Sequence, residues 1–163
     1  MPDLTTASYK IRRSWSDAHL EAVKAALGRR FFAATSFEQD AINGIDLYVP
    51  ELHISVRIRQ LKYQNFRDFT VRTSNAGGHK TEYAKLMTKN CVEYMLYAYA
   101  LDNKTLAAGY LIDLKQFRLS LIRGEIKPQF RRNKDGSHFV AFSFYEAKRK
   151  PRIELAHYVE QIL

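Results

Sequence analysis

Apolar and polar positions alternate along some stretches of the chain and recur at helical spacing along others. In residues 16–27, Leu20, Val23 and Leu27 stand three and four apart, the repeat that lines one face of a helix. Ser14 or Ser16 would cap that helix, Gly28 would end it, and Arg29-Arg30 would place positive charge at its negative C-terminus. Further on, Ile45, Leu47 and Val49 alternate with Asp46 and Tyr48, and Ile54, Val56 and Ile58 alternate with Ser55, Arg57 and Arg59. Pro50-Glu51 between them reads as a turn, so the two runs are expected to form a hairpin. Phe69 and Val71 alternate with Asp68, Thr70 and Arg72 and mark a third strand.

After the loop Asn75-Ala76-Gly77-Gly78, a short helix is expected over residues 81–87, begun by Thr81 or Lys80. A long aromatic strand over 92–101 turns at Asp102-Asn103-Lys104 into a strand over 108–112. Asp113 is placed to cap a helix over 114–121, with Phe117 and Leu121 on one face. Residues 131–136 read as an exposed turn, and Val140, Phe142 and Phe144 as a last strand. Pro151 would open a final helix with the stripe Ile153, Ala156, Val159 and Leu163. The order predicts the α/β (α+β) class, a mixed central β-sheet flanked by helices. One domain would span 1–163, with its core over about 16–120 and a C-terminal strand and helix over 121–163.

Composition narrows the partners. With 46% apolar and 13% aromatic residues the chain has ample material for a packed interior. Its 26 Lys and Arg against 17 Asp and Glu leave a formal charge of +9, which favours a polyanionic partner. Cys91, the single cysteine, offers no internal disulfide and reads as a buried thiol. No apolar run reaches the roughly 18–20 residues that span a bilayer. Met1-Pro2-Asp3-Leu4-Thr5 lacks a signal-peptide layout, so the cytoplasm is the expected compartment.

Turned at Pro50-Glu51, the hairpin sets Leu47 opposite Ile54, Asp46 opposite Ser55 and Gly44 opposite Arg57. Asp46, Ser55, Arg57 and Arg59 then share the face away from the apolar set, with Arg57 diagonal to Asp46. One carboxylate and two guanidinium groups on one surface read either as a sheet-surface ion pair or as a phosphate site with one metal ligand, Asp46.

Gly44-Ile45-Asp46-Leu47, the following strand with its basic residue, and the later runs Glu93-Tyr94-Met95-Leu96-Tyr97 and Tyr110-Leu111-Ile112-Asp113-Leu114-Lys115-Gln116-Phe117-Arg118 together resemble the PD-(D/E)XK nuclease superfamily. Asp68-Phe69-Thr70-Val71-Arg72 with Thr81-Glu82-Tyr83-Ala84-Lys85 is similar to small nuclease-like proteins of phages and prokaryotes. The resemblance covers roughly residues 16–120 and implies a restriction-endonuclease-like core. It also implies an endonuclease that hydrolyses phosphodiester bonds in DNA with Mg²⁺ or Mn²⁺ held by two carboxylates, beside a water-positioning Lys. Asp46 matches the first acid. Arg59 stands in the place of the Lys, and Arg57 in the place of the second acid, where a cation cannot ligate metal. Glu38, Asp40, Glu21 or Glu82 would have to supply the missing carboxylate. A homodimer, with the strand over 92–101 offering an edge, is the assembly that the resemblance implies.

Basic residues are densest between positions 57 and 89, so the expected DNA path runs over Lys62, Arg67, Arg72, Lys80, Lys85 and Lys89, with Arg29 and Arg30 as a further group. Tyr63, Phe66 and Tyr83 interleave with them and suit stacking on unpaired bases. His19, His53, His79, His138 and His157 show no metal-ligand spacing. Three functions remain open: a metal-dependent endonuclease, a non-catalytic nucleic-acid binder with an Arg-lined phosphate pocket, and a protein adaptor using its Tyr-rich surface.

Overall fold

The computed structural model describes residues 10–11, 14–15, 17–32, 53–74, 81–87, 92–133, 136–145 and 154–163. Helix α1 (Leu20–Phe32) is followed by β1 (Ile54–Gln60), a 3₁₀ turn (Leu61–Phe66), β2 (Asp68–Arg72), α2 (Glu82–Met87), β3 (Tyr94–Ala100) and β4 (Leu106–Asp113). Then come α3 (Leu114–Ile122), β5 (Gln129–Arg132), β6 (His138–Ser143) and β7 (Val159–Gln161). The α+β class holds, but the strands form two open sheets rather than one. The first has the order β1-β3-β4-β7 and the second β2-β6-β5. β1 runs parallel to β3, and every other pair is antiparallel. The first sheet is therefore mixed, as expected.

Strand alternation decides which sheet faces what. Ile54 and Ile58 of β1, with Leu96 and Ala98 of β3, pack against Val23 and Leu27 of α1. The opposite face of the same sheet carries Tyr97, Tyr99, Tyr110 and Ile112, which join Phe69, Val71, Val140 and Phe142 of the second sheet. Leu114 and Phe117 of α3 complete this core. β3 is buried from Met95 through Ala100 because both of its faces are covered, which explains its unbroken apolar run. Asp113 caps α3 as expected, its side chain accepting from the Gln116 amide at 2.9 Å. Thr81 likewise starts α2, with its hydroxyl accepting from the Ala84 amide at 3.2 Å.

Several expectations are corrected. α1 does not stop at Gly28 but runs on to Phe32, and its buried face is Val23 and Ala26, whereas Leu20 is exposed. Arg131 and Arg132 belong to β5 rather than to the turn before β6. The C-terminal segment is not a helix. Leu155 forms a bridge with Tyr145, residues 159–161 pair with β4, and the Ile162 amide donates to the Gly109 carbonyl at 2.8 Å. Pairing with β4 satisfies that strand's otherwise open edge, which a helix could not do. Gly109 permits the close approach, since a Cβ there would lie 3.1 Å from the Leu163 side chain. The expected strand over 45–49, its hairpin turn and Cys91 lie outside the described residues.

His19 ties the N-terminal helical segment to the sheet. It is fully buried, and its two ring nitrogens lie 2.8 Å from the carbonyl oxygens of Trp15 and Asp102. Asp102 is itself fixed, its carboxylate accepting from the Lys104 and Thr105 amides in the β3–β4 turn. Replacing His19 by Ala removes the N–H that the ring donates to one of these carbonyls and opens a cavity. The expected loss is about 2 kcal/mol, read from urea unfolding; a loss below a few tenths would show that the bridge adds nothing.

Candidate nucleic-acid interface

Arg57 and Arg59 lie on one face of β1, as the alternation predicts. In the parallel register Arg57 stands beside Tyr97 and Arg59 beside Tyr99, so both arginines project on the side facing the second sheet. β1 is an edge strand among the described residues, and this lets long cationic side chains reach solvent from a face that is apolar further in. The Nε atoms of both are buried and have no hydrogen-bond partner among the described residues.

The two arginines differ in how their charge is met. Arg57, with a side chain 20% exposed, forms an ion pair with Glu82 at the start of α2. The same Glu82 carboxylate accepts from the Arg72 amide at 3.2 Å. This contact is one of three that close the outer edge of β2, because the Thr70 amide donates to the Tyr97 hydroxyl at 3.3 Å and the Tyr99 hydroxyl donates to the Asp68 carbonyl at 3.1 Å. Burial first, then the neighbouring Tyr97 hydroxyl and Asp68 carboxylate, raise the pKa of Tyr99 and keep its phenol protonated as a donor. Glu82 is thus a brace between α2, β1 and β2. Its sequence signature was only a favourable acid in a helix's first turn, and its partner lies 25 positions away.

Arg59 instead lies over the ring of Tyr63, 4.6 Å from its centroid, and the Lys62 ammonium lies 5.2 Å from the same ring. Neither cation has an ion-pair partner among the described residues. Tyr63 reaches from the core to the surface, and Phe66, 60% exposed, stacks beside it at 6.4 Å in the same 3₁₀ turn. Residues three apart eclipse in this helix type, which places the two rings together. The turn ends at Arg67, whose left-handed backbone (φ 51°) lets its carbonyl accept from the Phe144 amide while its guanidinium lies 5.7 Å from the Tyr145 ring. Arg59, Lys62, Tyr63, Phe66 and Arg67 therefore form one cationic and aromatic strip at the end of β1.

Asp68 lies beside this strip. Burial raises its carboxyl pKa above the ordinary 3.8, and the guanidinium groups of Arg131 and Arg59 offset only part of that effect. Because the folded state holds this proton more tightly, the contribution of Asp68 to stability is largest in acid. It is lost as the pH rises from about 3.8 through the raised folded-state value. Asp68→Asn is therefore expected to gain stability relative to wild type at pH 7 and to lose that advantage at pH 3. Urea midpoints at the two pH values read the difference, and an advantage that did not change with pH would refute the assignment.

The other expected site residues scatter. Glu21 is exposed on α1 and pairs with Lys24 at 2.9 Å, so it does not join the β1 arginines. Arg29 and Arg30 lie in α1 and Lys85 in α2, their side chains outside the described residues, as are Glu38, Asp40, Asp46, Lys80 and Lys89 altogether. Arg72 meets Glu82 through its backbone. Among the described residues no three His, Cys, Asp or Glu side chains come together as metal ligands, and the one carboxylate at Arg57 is already bridged. The expected ligands Asp46, Glu38 and Asp40 lie outside the described residues. No described helix is long and apolar enough to cross a membrane.

Trp15 was missed from the sequence. With Ile11, Ile58, Arg59, Gln60 and Tyr63 it lines an open cleft of about 400 Å³ at the end of β1. As the chain's single tryptophan, four residues before a buried histidine, it offered a weak signal. No family model, curated protein or solved structure matches the chain.

Proposed function

We propose that the chain binds nucleic acid through the strip from Arg59 to Arg67. The observation that carries this reading is the convergence of Arg59 and Lys62 on Tyr63 with no carboxylate paired to either among the described residues, in a chain of net charge +9. Two cations gathered on a surface ring without an ion pair among the described residues suit phosphate, and the neighbouring ring of Phe66 suits a base. Titration of a labelled oligonucleotide followed by fluorescence anisotropy tests it. Binding is expected at low salt and should weaken steeply as salt rises; absence of binding at low salt would overturn the reading and return the case to a protein adaptor.

A second reading, an endonuclease with a restriction-endonuclease-like core and Asp46 as metal ligand, draws its support from the mixed sheet and the order of the elements, whereas Arg57, where that reading needs an acid, speaks for binding alone. Cleavage of supercoiled, linear or branched DNA with Mg²⁺ or Mn²⁺, abolished in Asp46→Ala, would establish it. Binding without cutting would leave the phosphate-binding function alone.

A further inference from the structure

Resting on the nucleic-acid reading, we infer that the ligand is single-stranded and that the cleft between Trp15 and Tyr63 receives one unpaired base. The cleft's volume of about 400 Å³ falls near the lower end of the roughly 300–1,000 Å³ typical of small-ligand sites. It has room for a single planar heterocycle, and the bases of a duplex, stacked inward, are not free to enter it. Its lining combines apolar Ile11 and Ile58, two aromatic rings, one amide (Gln60) and one guanidinium (Arg59). Aromatic faces stack on any base, an amide can pair with a base edge, and the guanidinium answers the adjoining phosphate.

Both aromatic walls are held in place before a ligand arrives. The ring of Trp15 lies 4.7 Å from that of His19, which is fully buried and bonded to the Trp15 carbonyl itself. Tyr63 packs on the core from one side and carries Arg59 on its ring. Phe66 extends the aromatic surface along the 3₁₀ turn, towards the exposed Arg67, so a strand leaving the cleft meets a second ring and a further cation. A duplex, with its bases stacked inward, would use only the cations.

Trp15 is the only tryptophan in the chain, so its fluorescence reports the cleft directly. The full chain is titrated with three ligands of equal phosphate number: a mixed-sequence single strand, the same strand made abasic, and a duplex. The single strand is expected to quench Trp15 and to bind about tenfold more tightly than the abasic strand, which should leave the fluorescence unchanged. Trp15→Ala should remove that tenfold preference while leaving abasic and duplex binding as they were, and Trp15→Phe should keep most of it. Gln60→Ala, a change at an exposed position, should weaken single-strand binding alone and guards against misfolding of the Trp15 variants. Equal affinity for single and abasic strands, or single-strand binding without a change in Trp15 fluorescence, would overturn the base cleft and leave the phosphate strip standing. Failure to bind any of the three would overturn both.

Discussion

Phe69→Ala is expected to cost about 3–5 kcal/mol, the largest stability loss of any single substitution considered. Phe69 is fully buried on β2, at the contact between the two sheets and α3. Its ring centroid lies 5.2 Å from both Phe117 and Phe142, 5.7 Å from Phe144 and 6.2 Å from Tyr97. Removing the ring leaves a cavity whose walls are other rings, themselves fixed by further stacking such as Tyr110 on Phe144 at 4.4 Å. Such walls collapse poorly, so the loss should fall in the upper part of the range for a phenylalanine. A domain of ordinary stability holds about 5–15 kcal/mol, and the variant should unfold at a much lower urea concentration. Phe69→Leu should lose about 1 kcal/mol. A loss below about 1 kcal/mol for Phe69→Ala would mean that the sheets do not depend on this contact.

Replacing Arg59, Lys62 and Arg67 together by Gln is expected to flatten the salt dependence of nucleic-acid binding. Each phosphate contact on a single strand adds about 0.7 to the slope of log affinity against log salt, so three removed contacts should reduce it by about 2. The affinity at low salt falls with it, while the fold should persist, because Lys62 and Arg67 are exposed and Gln retains much of the Arg59 stem. Anisotropy titrations at several salt concentrations measure both quantities. An unchanged slope would move the phosphate path to other cations, of which Arg131 and Arg132 on the exposed strand β5 are the next group.

How much was legible depended on the range over which each signal acts. β1, β2, β3, β4 and β6 declared themselves by alternation or by a continuous apolar run, and Asp113 by its capping geometry. β5 did not, because Gln129, Phe130, Arg131 and Arg132 are all exposed and only pairing with β6 makes them a strand. Ala156 and Val159 stand three apart, which fits a helix face. The free edge of β4 turned that segment into β7 instead. The shared face of Arg57 and Arg59 followed from a two-residue period and required no fold. The pairing of Arg57 with Glu82, the parallel neighbour β3 and the wall supplied by Trp15 all join positions dozens of residues apart.

By itself the sequence determined the α+β class, the strong positive charge, the arginine face of β1 and the interleaved rings of the 3₁₀ turn. Those properties arise from neighbours within a few residues, whose spacing sets which side chains share a face. Tertiary structure alone decided that the strands divide into two sheets and that Glu82 neutralises Arg57 while Arg59 and Lys62 gather on Tyr63. It alone opened a cleft beside them. Long-range pairing satisfies backbone groups and buries rings wherever the whole chain best allows, and that choice is made by competition among all the edges and faces at once.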